Sequence, residues 1–201
     1  MIEVKALDDV PPIEQLVDWY VAGKSNWSSV SSKFHDKKML ASLLNDKSLF
    51  VEHHYLKGVY HHQDLIGVVI DYPIQYALTL NQKSHDHLKQ ELGVWGFHKH
   101  YSLYRKMARH LPEITLENQQ HIHLFAIDTD HQNKGIGSFV LSHLITTKPN
   151  QMYSLLVDER NDRAIQFYLK HRFEIQRHGH IRYRNKWYGQ YLMVRNNNNA
   201  L

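Results

Sequence analysis

Residues 121–144, "HIHLFAIDTDHQNKGIGSFVLSHL", decide how the chain is to be read. His121 to Ala126 are mostly apolar or aromatic and alternate as a strand does, and the residues after Ile127 turn polar. Gly135 and Gly137 then interrupt, after which Ile136, Phe139, Val140, His143 and Leu144 fall on one helical stripe. The stretch predicts strand, turn, glycine-containing loop, helix. A helix that begins there presents unpaired N–H groups and the positive end of its dipole. These attract phosphate when the preceding backbone permits close approach, which glycine does.

The rest of the chain limits what such a loop can serve. Its 201 residues are 42% hydrophobic, enough to bury a substantial core, and predict a single domain over 1–195 with a fraying Asn-rich tail over 196–201. The net charge of +4 arises from 24 basic and 20 acidic residues scattered along the sequence, which suits a small anionic ligand and offers no basic block for nucleic acid. There is no cysteine, so disulfides, thiolate metal ligands and a cysteine nucleophile are excluded. "MIEVKALDDV" has no signal-peptide pattern, and no apolar run approaches the roughly 20 residues that cross a bilayer. The expectation is a cytoplasmic protein with neither nucleic-acid nor membrane partners. Its oligomeric state is open, a homodimer included.

Outward from the loop, "IEVKAL" predicts an opening strand and "PPIEQLVDWYVAG" a helix with Ile13, Leu16, Val17 and Tyr20 on one side; a second helix is predicted over Phe34–Leu44. "SLFVEHHYLKGVY" and "DLIGVVIDYP" predict a hairpin turning near "HHQD". From Ile74 to Leu111 the pattern is helical, broken at "ELGVWGF". After the glycine loop come a strand at "MYSLLVD", a helix at "NDRAIQFYLKHR" and strands at "FEIQRHGHI" and "KWYGQYLMVR". Strands with helices between them give an α/β or α+β sheet domain.

Neither common nucleotide signature fits the loop, because Gly-Lys-Ser/Thr does not occur within it and position 140 is Val where a third glycine would stand. What remains is Gln132-x-x-Gly135-x-Gly137, followed some twenty-five residues later by Asn161-x-x-Ala164-x-x-Phe167-Tyr168 after a strand. On these two motifs the chain resembles the GNAT N-acetyltransferase superfamily, most strongly over His121–Phe173. The resemblance implies an α/β (α+β) fold with a mixed, splayed central sheet flanked by helices. It also implies transfer of an acetyl group from acetyl-CoA, as co-substrate, to an amine, with no metal. Arg172 stands where the family usually has a glycine suited to a positive-φ helix end.

The resemblance also implies roles. Phe125, Ala126 and Ile127 would pair their backbone with the pantetheine arm. Gln132, Asn133, Lys134, Gly135, Ile136, Gly137 and Ser138 would hold the pyrophosphate, and Asn161 would steady the cofactor. Tyr168, a phenol with a reference pKa near 10, would protonate the departing thiolate besides touching the cofactor. Its bland reading is a core residue in a stripe with Ile165 and Leu169. His121 and His123, two apart on a strand, are predicted to share a face just upstream. They resemble the His-x-His pair of the arylalkylamine N-acetyltransferase branch, which relays the amine proton. The chain holds 17 histidines, so coincidence is the competing reading.

Two further readings stand beside this one. A His-rich metal-binding module is the first, but no Cys or His-Glu-x-x-His supplies a familiar ligand spacing. The second is a catalytically inactive acyl-CoA sensor of the same fold. The acceptor, a small-molecule amine or a peptide amine, is expected between the early helices and the last strands, where "AGKSNWSSVSSKF", Tyr72, Tyr76, Trp95, Phe97, Tyr183 and Trp187 are lining candidates.

Overall fold

A computed structural model of the chain describes residues 1–7, 13–23, 55–108, 119–183 and 185–197. The predicted helix over Phe34–Leu44 lies outside the described residues, as does the start of the strand expected from Ser48. In chain order the elements are β1 (Ile2–Ala6), α1 (Ile13–Gly23), β2 (Leu56–His61), β3 (Asp64–Pro73), α2 (Ala77–Ala108), β4 (Gln119–Ile127), α3 (Ile136–Thr147), β5 (Met152–Asp158), α4 (Asp162–Lys170), β6 (Glu174–Tyr183) and β7 (Lys186–Arg195). Among the described residues these strands form one mixed sheet in the order β1-β2-β3-β4-β5-β7-β6. β4 and β5 run parallel, joined by α3, and every other pairing is antiparallel.

Local chemistry explains the boundaries. His62 and Gln63 both take positive φ (50° and 76°), giving the two-residue turn whose twist suits a hairpin between β2 and β3. In α2, Gly93 sits at φ 64° and ψ 177°, which breaks the helix where the two-glycine stretch predicts a break. His85 lies 6.2 Å from the Phe97 ring and 5.4 Å from the Tyr101 ring. A straight helix would carry those positions about 18 and 24 Å away, so the two halves double back at Gly93.

The core has two parts, one on each side of the sheet. On one side α3 and α4 contribute Val140, Leu141, Leu144, Ile165 and Tyr168 to a cluster with Val69, Ile122, Tyr153, Leu155 and Met193. On the other, Leu16, Val17 and Trp19 of α1 and Leu80 of α2 pack with Val68, Ile70, Tyr72, Leu124 and Ala126. A 12-residue helix such as α3 is marginal alone. Burying Val140, Leu141 and Leu144, each worth about 1.5–3 kcal/mol, is what holds it. The buried stripe of α3 is Ile136, Val140, Leu141, Leu144 and Ile145. The expected members Phe139 and His143 face outward instead and stack on each other at 6.5 Å. The stripe is rotated because Leu141 and Ile145 compete for the same core and win it. Leu169 of α4 is likewise outside, at 39% exposure, while Ile165 and Tyr168 are buried.

Two irregularities in β4 shape the sheet next to the glycine loop. Its pairing with β5 runs only from Gln119–Met152 to Ile122–Leu155. Beyond that, Phe125 to Ile127 remain paired with Val69 to Gly67 of β3, and Leu156 to Asp158 with Leu192 to Gln190 of β7. The two parallel strands therefore part company, and the sheet is splayed. Toward β3, Ile70 pairs with Leu124 but Asp71 with Ile122, leaving His123 as the extra residue of a β-bulge. Asp71 itself is buried, and a buried carboxylate needs cations. Lys57 supplies one and Lys148, just past α3, the other at 3.5 Å. Lys148 also reaches Gln120 Oε1 at 2.8 Å, which ties the end of α3 to the sheet.

Candidate active site

The loop between β4 and α3 is held from several sides. Asp128 accepts from the Asp130 N–H at 3.0 Å, and the Gln132 side chain donates to the Ile127 carbonyl at 2.7 Å. Asn133 takes φ 61°, as asparagine tolerates, and its Oδ1 accepts from Arg163 of α4 at 3.0 Å. Gly135 caps α3 at φ 78°, where a side chain would cost about 1–2 kcal/mol of strain. The first hydrogen bond of α3 runs from Phe139 N–H to the Gly135 carbonyl at 3.0 Å. That leaves the N–H groups of Ile136, Gly137 and Ser138 without an acceptor in the helix. A Cβ on Gly135 would meet open space, whereas one on Gly137 would touch the Phe167 ring at 3.5 Å. The loop is open outward and backed by α4. Free amides, a helix dipole and room in front of them fit the diphosphate of a nucleotide cofactor.

From this loop the splay leads inward. The β5-facing side of Phe125, Ala126 and Ile127 has no strand partner among the described residues. Backbone groups left so in a partly buried strand need another partner, and an extended amide-bearing chain would supply one. At the vertex of the splay, Gln119 and His121 meet Ser154 of β5. The Gln119 amide bonds the Ser154 hydroxyl, and His121 Nδ1 lies 3.1 Å from the same oxygen. Gln119 Oε1 is buried with no partner among the described residues.

Tyr168 and the histidines lie on opposite sides of the sheet. Tyr168 belongs to the α3–α4 cluster, its ring packed against Phe167 at 5.2 Å and Phe173 at 5.4 Å. Burial pushes its phenol pKa well above the ordinary value, so it stays protonated. His121 and His123 lie against Tyr72, a member of the α1-side cluster, with ring centroids 5.6 and 5.8 Å away. His123 Nδ1 is 3.4 Å from the Tyr72 hydroxyl. The pair does share a side, although the bulge and not simple alternation sets the direction of His123. His121 is buried and His123 half-buried.

Asn161 caps α4, its Oδ1 accepting from the Ala164 N–H at 3.1 Å. Arg172 adopts the left-handed conformation itself, at φ 63°, and the helix end closes through Arg172 N–H to Leu169 and Phe173 N–H to Tyr168, both at 3.0 Å. The glycine-type cap survives with a side chain that pays strain for it.

The aromatic lining candidates do not form one group. Tyr72 and Tyr76 are linked through Tyr55 at 5.9 and 6.1 Å. Phe97 stacks on Tyr101, Trp95 is 89% exposed, and Trp187 sits beside His180 on the outer hairpin. Of Tyr183 only the backbone is described, and residues 24–34 lie outside the described residues. Sequence reasoning missed Ser154, Gln119 and Arg163, which carry no motif and matter only through neighbours far along the chain. Among the described residues no three His, Cys, Asp or Glu side chains are grouped to hold a metal ion, and no helix is long and apolar enough to cross a membrane.

Comparison with known proteins agrees with this geometry. A family profile described as the Acetyltransferase (GNAT) family matches residues 14–173. A search of curated proteins finds no match. Among solved structures, an N-acetyltransferase from Staphylococcus aureus Mu50 shares 15% identity and a TM-score of 0.64, over 96% of this chain and 99% of that one. A GNAT family acetyltransferase from Elizabethkingia anophelis with acetyl-CoA bound gives 12% identity and 0.51, over 97% of each chain. The PaiA N-acetyltransferase from Thermoplasma acidophilum, in complex with coenzyme A, gives 12% and 0.50, over 98% and 99%.

Proposed function

The chain belongs to the acetyltransferase (GNAT) family, and from that premise we propose that residues 1–195 form a single catalytic domain moving an acetyl group from acetyl-CoA to a primary amine, by direct attack in a ternary complex. The observation that carries the reading is the splay of β4 from β5, opening onto a glycine loop whose helix amides have no internal acceptor. Two structural neighbours, bound to acetyl-CoA and to coenzyme A, support the choice of cofactor.

The cofactor supplies an activated thioester carbonyl when bound. The chain's residues do the rest. Amides of Asn133 through Ser138 bind the diphosphate, with Gln132 pinning the loop to the end of β4 and Lys134 adding charge. The exposed edge of Phe125–Ile127 pairs with the pantetheine arm, and Asn161 steadies it from the cap of α4. Holding donor and acceptor in one cleft makes the attack effectively unimolecular. Tyr168 delivers the proton to the leaving thiolate from one side of the sheet, and the His121–His123 pair takes the amine proton on the other. No cysteine is present to form a thiol-bound acyl-enzyme, and direct transfer needs none.

The test is a panel of small amines and peptides incubated with acetyl-CoA and read as free thiol. Thiol release that depends on an amine is the expected result. Tight CoA binding without turnover on any amine would favour the sensor reading instead.

A further inference from the structure

His171 belongs to neither motif, yet it is built onto the glycine loop. Its N–H closes the end of α4 on the Phe167 and Tyr168 carbonyls at 3.3 and 3.0 Å, and its own carbonyl accepts from Arg195 Nη1 of β7 at 2.9 Å. With the backbone held on both sides, the ring packs against Phe167 at 4.7 Å and Nε2 lies 2.9 Å from Ser138 Oγ. Ser138 is in the first turn of α3, where the amides are unclaimed. The imidazole therefore stands one hydroxyl behind the anion site.

The surroundings of the ring are short of negative charge. Burial, then the Arg195 guanidinium, then the Lys170 ammonium hold its pKa below the ordinary value. From α3 it meets the neutral Ser138 and the positive end of a helix dipole, and from α4 the apolar Phe167. An arriving diphosphate would bring negative charge to this side of the ring and reverse that balance.

We propose that His171 is a positioning residue that takes up a proton when the cofactor diphosphate enters the loop, coupling cofactor affinity to pH. The proposal rests on the reading that this loop holds the diphosphate. Neutral imidazole can accept the Ser138 hydroxyl proton at Nε2. The protonated ring can only donate there, which frees the Ser138 hydroxyl to donate to a phosphate oxygen. The sign follows from linkage. Above the bound-state pKa His171 is neutral in both states and affinity is flat. Between the bound and free values binding takes up a proton and affinity rises as pH falls, and below the free value it is flat again. Each pKa unit separating the two states is worth tenfold in affinity.

The experiment is calorimetric titration of dephospho-CoA into the whole protein at several pH values across the histidine range, in two buffers of different ionisation enthalpy. Dephospho-CoA keeps a diphosphate doubly ionised throughout this range and lacks the 3′-phosphate, which titrates within it. Expected for the wild type is net proton uptake near neutrality and an affinity gain of about tenfold toward acid pH. His171→Gln retains a hydrogen-bonding side chain but cannot titrate, so it should lose the uptake and hold the weaker, alkaline affinity at every pH. Binding without uptake in the wild type, or the same uptake in His171→Gln, overturns the proposal while leaving the loop assignment standing. No binding at any pH overturns the loop assignment and the proposal with it. If His171→Gln does not fold, His171→Asn takes its place in the same titration with the same expected loss.

Discussion

On the α3–α4 side of the sheet lie the features the two motifs name: a loop whose helix amides have no acceptor within the helix, a capped helix behind it and a buried phenol in the core between helix and sheet. On the α1–α2 side, the groups near the same splay come from β3, β4 and β5, and no spacing in sequence unites Tyr72, His121, His123, Gln119 and Ser154. On the proposed function the first side takes a ligand whose diphosphate and pantetheine are fixed in chemistry, so few solutions exist and they recur as patterns. The second, on the same proposal, faces an acceptor whose shape is not so constrained. A cofactor site can therefore be legible in a sequence whose acceptor site is not.

The largest expected effect is at Tyr168, the residue of the α3–α4 side to which the proposed function gives the acid's role. Tyr168→Phe keeps the ring against Phe167 and Phe173, so the fold should hold and CoA affinity should stay within about twofold. Turnover should fall by about 10²- to 10⁴-fold, the usual worth of a positioned acid. Full turnover in this variant would return Tyr168 to the core.

Next in size is Gly137→Asp. Gly137 has ordinary negative-φ backbone and its Cβ would make an ordinary contact with Phe167, so the fold should tolerate the change. The carboxylate would stand in the first turn of α3, among the amides proposed to hold the diphosphate, and like charges brought so close cost several kcal/mol, or about 10²-fold or more in CoA affinity. Thermal stabilisation by added CoA should disappear with it. Unchanged CoA binding would remove the loop from the site.

On the other side, replacing His121 and His123 together with Gln removes both titrating rings. If they carry the amine proton, kcat/KM should drop by about 10²-fold near neutrality and recover in part at high pH, where the amine is already neutral. A small loss at every pH would mean a strand-face role only. His121, sealed against Ser154, should cost more stability than His123 when changed singly, because the Ser154 hydroxyl that it shares with Gln119 is then disturbed inside the sheet.

Much of the α3–α4 side is readable because local rules and tertiary packing agree there: Gly135 is needed at positive φ, Asn161 at a cap, and a period of two changes to a helical period within a few residues. What fails to show does so for physical reasons. A bulge at His123 depends on how β3 pairs with β4, which no local pattern encodes. Helical spacing in α3 admits two adjacent stripes, one through Phe139 and His143, and only the sheet beneath chooses Leu141 and Ile145. Arg172 hides a left-handed helix end behind a residue that seldom adopts one. The contact between His171 and Ser138 joins positions 33 apart and arises only from how α4 lies across α3.

The smallest effect separates two duties of a single residue. Asn161 Oδ1 is occupied by the Ala164 N–H, so whatever Asn161 does for the cofactor must come from its amide N–H groups. Asn161→Asp keeps the acceptor, and with it the cap, and places negative charge at a helix N-terminus, where it is welcome. Stability should stay within about 0.5 kcal/mol. The donor is lost, however, which should lower CoA affinity by about fivefold, the worth of one hydrogen bond. Asn161→Ala removes both and should cost about 1 kcal/mol of stability besides. Measured by thermal unfolding and CoA titration side by side, an Asp variant with intact affinity and an Ala variant that loses only stability would confine Asn161 to capping. The cofactor would then be held on this side by the loop and the strand edge.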